Sequence, residues 1–193
     1  RIVHEGVLES GVIEVGDKAM AVIDGERRTA IRRNHTSVHL LQAALRQVLG
    51  THVHQAGSLV DEHKLRFDFT HFSAVSAEEL EKVEKIVNEK ILEGISVETV
   101  ETDLETAKND GAMALFGEKY GNVVRECRVG DFSVELCGGT HIDNTAKIGL
   151  FKITSESSVA SGVRRIEAVT GWGVLDLLNH YKADLQSVAA VLK

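Results

Sequence analysis

Two short stretches hold residues whose types and spacing can do chemistry: His35-Thr36-Ser37-Val38-His39 and Cys137-Gly138-Gly139-Thr140-His141. On a helix the first places its imidazoles at i and i+4, one above the other on a single face, the spacing that offers two nitrogens to one metal ion. The second sets a thiol and an imidazole around a Gly-Gly turn, where glycine's backbone freedom lets both point at one centre. Together they form a mixed nitrogen and sulfur donor set that suits Zn2+. Taken singly each motif is weaker. An i,i+4 His pair is commonly a solvated helix face, and a single cysteine is commonly a small buried hydrophobe. Spacing alone leaves metal binding and two unrelated motifs both open.

Elements must bring these stretches together. Asn34 is a good N-cap, and Val38, Leu41, Leu45 and Val48 repeat at helical spacing, which predicts a helix from Asn34 to Gly50. His35, His39, Gln42 and Arg46 make a second stripe on it, distinct from the apolar one. Val123 to Leu136 reads as a hairpin around Gly130-Asp131. With a two-residue turn, Val129 faces Phe132, Cys127 faces Val134 and Val124 faces Cys137. Cys127 and Cys137 then lie on opposite faces and cannot form a disulfide, so Cys137 stays free as a ligand and Cys127 packs.

The remaining pattern fills in a fold. Leu65, Phe67 and Phe69 alternate with polar residues, as in a strand with one buried face. Ser76-Ala77-Glu78-Glu79 is a capping box that opens a helix through Leu80, Val83, Val87 and Ile91, stopping at Gly94. A strand near Ile95–Val100, a short helix after Asp103, strands over Leu150–Ser155 and Val163–Val169, and an amphipathic helix from Trp172 follow. Val12 to Ile23 reads as strand, Gly16-Asp17 turn, strand. The expected fold class is α+β: a mainly antiparallel sheet with packed helices, preceded by a small β-barrel-like subdomain.

Composition sets the outer bounds. Of 193 residues, 43% are hydrophobic and 26% charged, an ordinary globular balance that excludes a disordered or collagen-like chain. No apolar run approaches the ~20 residues of a membrane span. A formal net charge of −7 argues against coating nucleic acid by bulk electrostatics while leaving room for a local basic patch. Two cysteines do not make a disulfide framework. Arg1 in place of Met, with no basic-then-apolar signal pattern, reads as a cut inside a longer, cytoplasmic protein. Proline is absent, and nothing in the pattern explains it.

Longer strings carry a resemblance. Arg33 to Leu41, Gln55-Ala56-Gly57-Ser58-Leu59-Val60, Leu65 to Phe69, Gly111 to Gly121, Asp131 to His141 and Gly162 to Gly171 follow one another as they do in alanyl-tRNA synthetases. The resemblance covers essentially the whole chain and is similar to the editing region of bacterial members. Threonyl relatives share the two metal motifs, but the longer strings resemble the alanyl enzymes, to which free-standing editing proteins are also related. It implies a small β subdomain at 1–30, a zinc-binding editing domain at 31–171, and the start of a linking helix at 172–193.

It further implies hydrolysis of the ester joining serine or glycine to the tRNA for alanine, with the other domains of the parent chain as partners and no membrane. A pocket shaped for alanine cannot exclude the smaller glycine and excludes an added hydroxyl poorly, so a second, hydrolytic sieve is needed. The implied zinc ligands are His35, His39, Cys137 and His141. Four protein ligands is the closed arrangement of structural zinc, however, whereas water activation needs an open position. The alternative is therefore a zinc-stabilised module that grips the tRNA acceptor end without catalysis of its own. Thr36 is the implied contact for a serine hydroxyl, and Gln55 the implied group that orients water or the ester. Arg33, with Arg32 beside it, and Arg164 or Arg165, which a strand would point to opposite faces, are candidates for the terminal phosphate or ribose. His52 and His54 would share a strand face without forming a site.

Overall fold

Asp24 starts the longest helix of the chain. Its carboxylate accepts from the Arg27 backbone N–H at 2.9 Å, and α1 (Gly25–Leu49) then runs to Gly50, which at φ 116° returns its N–H to the Arg46 carbonyl. The computed structural model describes residues 3–114 and 120–192, and the string Leu115 to Lys119 within the Gly111–Gly121 resemblance lies outside the described residues. Asn34 is thus not a cap but a buried residue inside α1. Its Nδ2 donates to the Asp61 carbonyl at 2.9 Å and its Oδ1 accepts from Thr170 Oγ1 at 2.7 Å. The stretch Glu26–Arg33 is rich in good helix formers, so the cap moves ten residues further back, to Asp24.

Beneath α1 lies a four-stranded antiparallel sheet in the order β1 (Gln55–Val60), β2 (Leu65–Thr70), β7 (Val163–Thr170), β6 (Phe151–Ala160). Leu65, Phe67 and Phe69 of β2 pair with Ala168, Ile166 and Arg164 of β7. The three β2 side chains are fully buried with Leu41 and Leu45 of α1 and Val83 and Val87 of α2 (Ala77–Leu92) in one core. The capping box that opens α2 is formed, Ser76 N donating to Glu79 Oε2 at 2.8 Å. Alternation within β2 puts Asp68 on the opposite sheet face, where Arg165 forks onto it.

A second antiparallel sheet holds β3 (Val97–Asp103), β4 (Val123–Val129) and β5 (Ser133–Leu136), with α3 (Leu104–Asn109) after β3. The β4–β5 hairpin turns over three residues rather than two. Gly130 takes φ 50° and Phe132 N–H bonds back to the Val129 carbonyl, so Val129 faces Ser133 and Cys127 faces Glu135. One added loop residue shifts the expected register by one, which moves Cys127 to the face that also carries Glu135. Both cysteines are nonetheless free.

After a 3-10 turn at Thr145–Ile148 and strands β6 and β7, α4 (Trp172–Val191) leaves Leu175, Leu178, Leu185 and Val188 exposed. The expected strands between Val12 and Ile23 are not formed. The turn is present, Asp17 N–H bonding to the Glu14 carbonyl, but Val12, Ile13, Val15, Met20, Val22 and Ile23 stand in solvent. A lone hairpin is marginal without further strands or a helix to cover one face, and here nothing among the described residues covers it.

Candidate metal centre

Because α1 is regular through residues 34–42, His35 and His39 project from one face, and the segment leaving β5 crosses that face. The donor atoms of His35, His39, Cys137 and His141 all lie within 4.8 Å of one another. Cys137 Sγ is 3.5 Å from His35 Nε2 and 3.3 Å from His141 Nε2. Ring centroids are 4.4 Å apart for His35 and His141 and 4.9 Å for His39 and His141. Three imidazoles packed this closely around a sulfur, with the buried His39 Nε2 lacking any hydrogen-bond partner, fit a soft divalent cation.

Neighbouring groups hold these donors. Glu135, buried and two residues before Cys137 on the same strand face, places Oε2 2.8 Å from His39 Nδ1. The contact is a charge pairing rather than an aligned hydrogen bond, and it leaves Nε2 as the nitrogen for a metal. Glu135 Oε1 accepts from Ser133 Oγ at 3.0 Å. Arg125 reaches across from β4 and donates to the Gly139 carbonyl at 2.7 Å and the Gly138 carbonyl at 3.3 Å, clamping the loop. Gly139 packs so close that a Cβ there would lie 2.0 Å from His35 Cε1, whereas one on Gly138 would meet nothing within 4 Å. Neither glycine has a positive φ. The turn therefore requires space for the His35 ring, not the backbone freedom that the Gly-Gly pair suggested.

Electrostatics separate the two cysteines. Burial works against ionising Cys137, but hydrogen bonds from His141 and His35 and the charge of the neighbouring His39 bring its thiol down to about 3, so it stands as a thiolate. Burial pushes the Cys127 thiol up to about 12. Burial also disfavours a charged His39, yet the Glu135 carboxylate and the Cys137 sulfur outweigh it and raise that imidazole to about 10. His141 is lowered, chiefly by burial.

The expected site residues divide. Gln55, at the start of β1, lines with His35, His39 and Cys137 a cleft of about 410 Å3 that also takes in Ser58 and Arg125. Its Nε2 is 3.4 Å from Ser58 Oγ. Thr36 is fully buried and does not line that cleft. Its hydroxyl accepts from Ile142 N–H at 3.2 Å and sits 3.4 Å from His141 Nδ1, so it is committed to the loop rather than presented to a substrate. Arg33 Nε donates to the Lys147 carbonyl at 2.9 Å. Arg164 forks onto Glu156 at 2.5 and 2.7 Å, and Arg165 onto Asp68 at 2.7 and 2.8 Å, so both are occupied within the sheet. His52 bonds to His71 rather than to His54. Sequence reasoning missed Glu135 and Arg125. Strand alternation two residues back from Cys137 pointed to Glu135, but Arg125 depends on the cross-strand register.

Residues 124–167 match the family model described as threonyl and alanyl tRNA synthetase second additional domain. The chain is 54% identical over 192 residues to the alanine–tRNA ligase of Desulforamulus reducens, covering 100% of this chain and 22% of that relative. It is 56% identical over 190 residues to that of Bacillus cytotoxicus, covering 98% and 22%. Along its whole length the chain is similar to one region of alanine–tRNA ligases. It spans about a fifth of the length of these relatives. No helix among the described residues is long and apolar enough to cross a membrane.

Proposed function

We propose that the chain is the editing hydrolase of an alanyl-tRNA synthetase, cleaving the ester of Ser-tRNA(Ala) or Gly-tRNA(Ala) in the cytoplasm, with Zn2+ held by His35, His39, Cys137 and His141. The observation that carries the reading is the gathering of four donors from two distant segments beside a cleft of about 410 Å3, in a chain so similar to alanine–tRNA ligases. When bound, zinc supplies a Lewis-acid centre against which a carbonyl or a water can be oriented. In the overall reaction a water oxygen bonds to the acyl carbon, the bond to the ribose oxygen breaks, and the water proton passes to that oxygen. Gln55, on the cleft wall, is placed to hold the ester carbonyl or the water through its amide. Glu135 and Thr36 fix the rings of His39 and His141, and Arg125 fixes the loop that carries Cys137. Thr36 acts here as a positioning residue, since its hydroxyl is enclosed.

One observation favours a second reading. Four protein donors make a closed set, as structural zinc sites do, and a module that only binds the acceptor end would need no more. Deacylation of Ser-tRNA(Ala) and Ala-tRNA(Ala), before and after chelation, with circular dichroism on the same samples, separates the two. Selective, chelator-sensitive loss of the serine ester with an unchanged spectrum supports the hydrolase. Loss of the fold on chelation, without hydrolysis beforehand, supports the binding module.

A further inference from the structure

Arg164 and Arg165 are each satisfied by a carboxylate, but Arg32 is not: its Nε is buried and has no partner among the described residues. Leaving this buried N–H of a charged group unpaired carries an energetic cost unless something outside the chain supplies an oxygen. Arg32 lines a second cleft, of about 550 Å3, together with Arg33, Lys147, Asp143, Thr29 and His141. Arg33 is tied down beside Lys147 by its bond to that residue's carbonyl. The Lys147–Asp143 pair at 2.7 Å is largely solvent-exposed and readily opened. Three cations thus face one carboxylate in a molecule of net charge −7.

His141 lines this cleft and is one of the four donors of the metal cluster, so the basic cleft lies beside the cluster. We propose that this cleft takes a phosphodiester of the polynucleotide, with the Arg32 fork as its main partner and Lys147 and Arg33 adding charge. A planar guanidinium matches two phosphate oxygens, and such a contact positions the strand without reading its bases. The inference rests on the editing reading for the identity of the polynucleotide.

The test does not depend on hydrolysis. A short, 5′-labelled single-stranded RNA ending in CCA is titrated with the full chain by fluorescence anisotropy across a range of salt. Arg32→Gln is expected to weaken binding about tenfold and to lower the slope of log K against log salt by about 0.7 to 1. Asp143→Asn, at an exposed position, is expected to tighten binding a few-fold. Unchanged affinity and slope in both variants would overturn the proposal. On Ser-tRNA(Ala) Arg32→Gln should raise KM, while on 3′-O-seryl adenosine, which has no phosphodiester, it should change nothing. An equal fall in kcat on both substrates would place Arg32 behind His141 instead and also overturn it. Absence of hydrolysis by the unaltered chain would count against the editing reading alone.

Discussion

At Gly139 a single hydrogen in place of a methyl group keeps the His35 imidazole in the cluster. Gly139→Ala would push a Cβ to 2.0 Å from His35 Cε1, and since the backbone there is not in the left-handed region, the cost is this clash, which parts the ring from the loop. Zinc affinity, measured by competition with a chromophoric chelator, should fall at least about 10- to 100-fold, the range seen when ligand positioning is lost. Gly138→Ala should bind zinc like the parent, because nothing lies within 4 Å of its Cβ position. Glu135→Gln removes the charge behind His39 and should weaken zinc by a similar factor while the far-ultraviolet spectrum is kept. Residue type and spacing, which are local properties, marked the two motifs, but only the resemblance joined them into one set of four donors, which the structure brings within 4.8 Å of one another. The reason for the glycines was not legible in the sequence, since steric room is set by a ring that approaches from another element.

The same division runs through the elements. α2, with its capping box, and β2, with its alternation, follow from local pattern, and both formed as expected. The start of α1 did not, because Asn34 has a short polar side chain that suits a cap, yet tertiary partners satisfy it inside the helix. Asn34→Ala should therefore lower stability by about 1–3 kcal/mol in urea unfolding, by orphaning the Asp61 carbonyl and the Thr170 hydroxyl. A cap lost at an exposed helix start would cost closer to ~1 kcal/mol. The hairpin register slipped because one more residue enters the loop than the Gly-Asp signal implied. Strands β2 and β7 are also joined by Arg165 and Asp68, whose hydrogen bonds hold the Asp68 carboxyl below its ordinary range. A depressed carboxylate contributes stability above its unfolded value, near 3.8, and loses it as pH falls through the lower folded value. Acid titration of Asp68→Asn should accordingly show a flatter loss of stability below about pH 4.

Across the whole molecule, order follows burial. The two sheets and α1 and α2 share one core, while residues 3–24 expose their apolar side chains and pair with no strand among the described residues. Limited trypsin digestion should cut first at Lys18 and leave a core that still takes up zinc, as mass spectrometry under native conditions would show. The alternating apolar residues of that segment led to an expected β unit, and alternation alone cannot say whether a covering surface exists. Fold class, by contrast, was legible throughout, because the periods of α1, α2, β2 and β7 agree with their burial.

The separation of 102 residues between His35 and Cys137 has a further consequence. An ion bound by both acts as a crosslink, fastening α1 and the four-stranded sheet to the three-stranded sheet across a loop whose closure entropy depends only slowly on its length. Filling the cluster and docking the second sheet then become a single linked equilibrium, and free zinc concentration sets how often β3–β5 open. Amide exchange in those strands should slow with added zinc far more than exchange in the middle of α2.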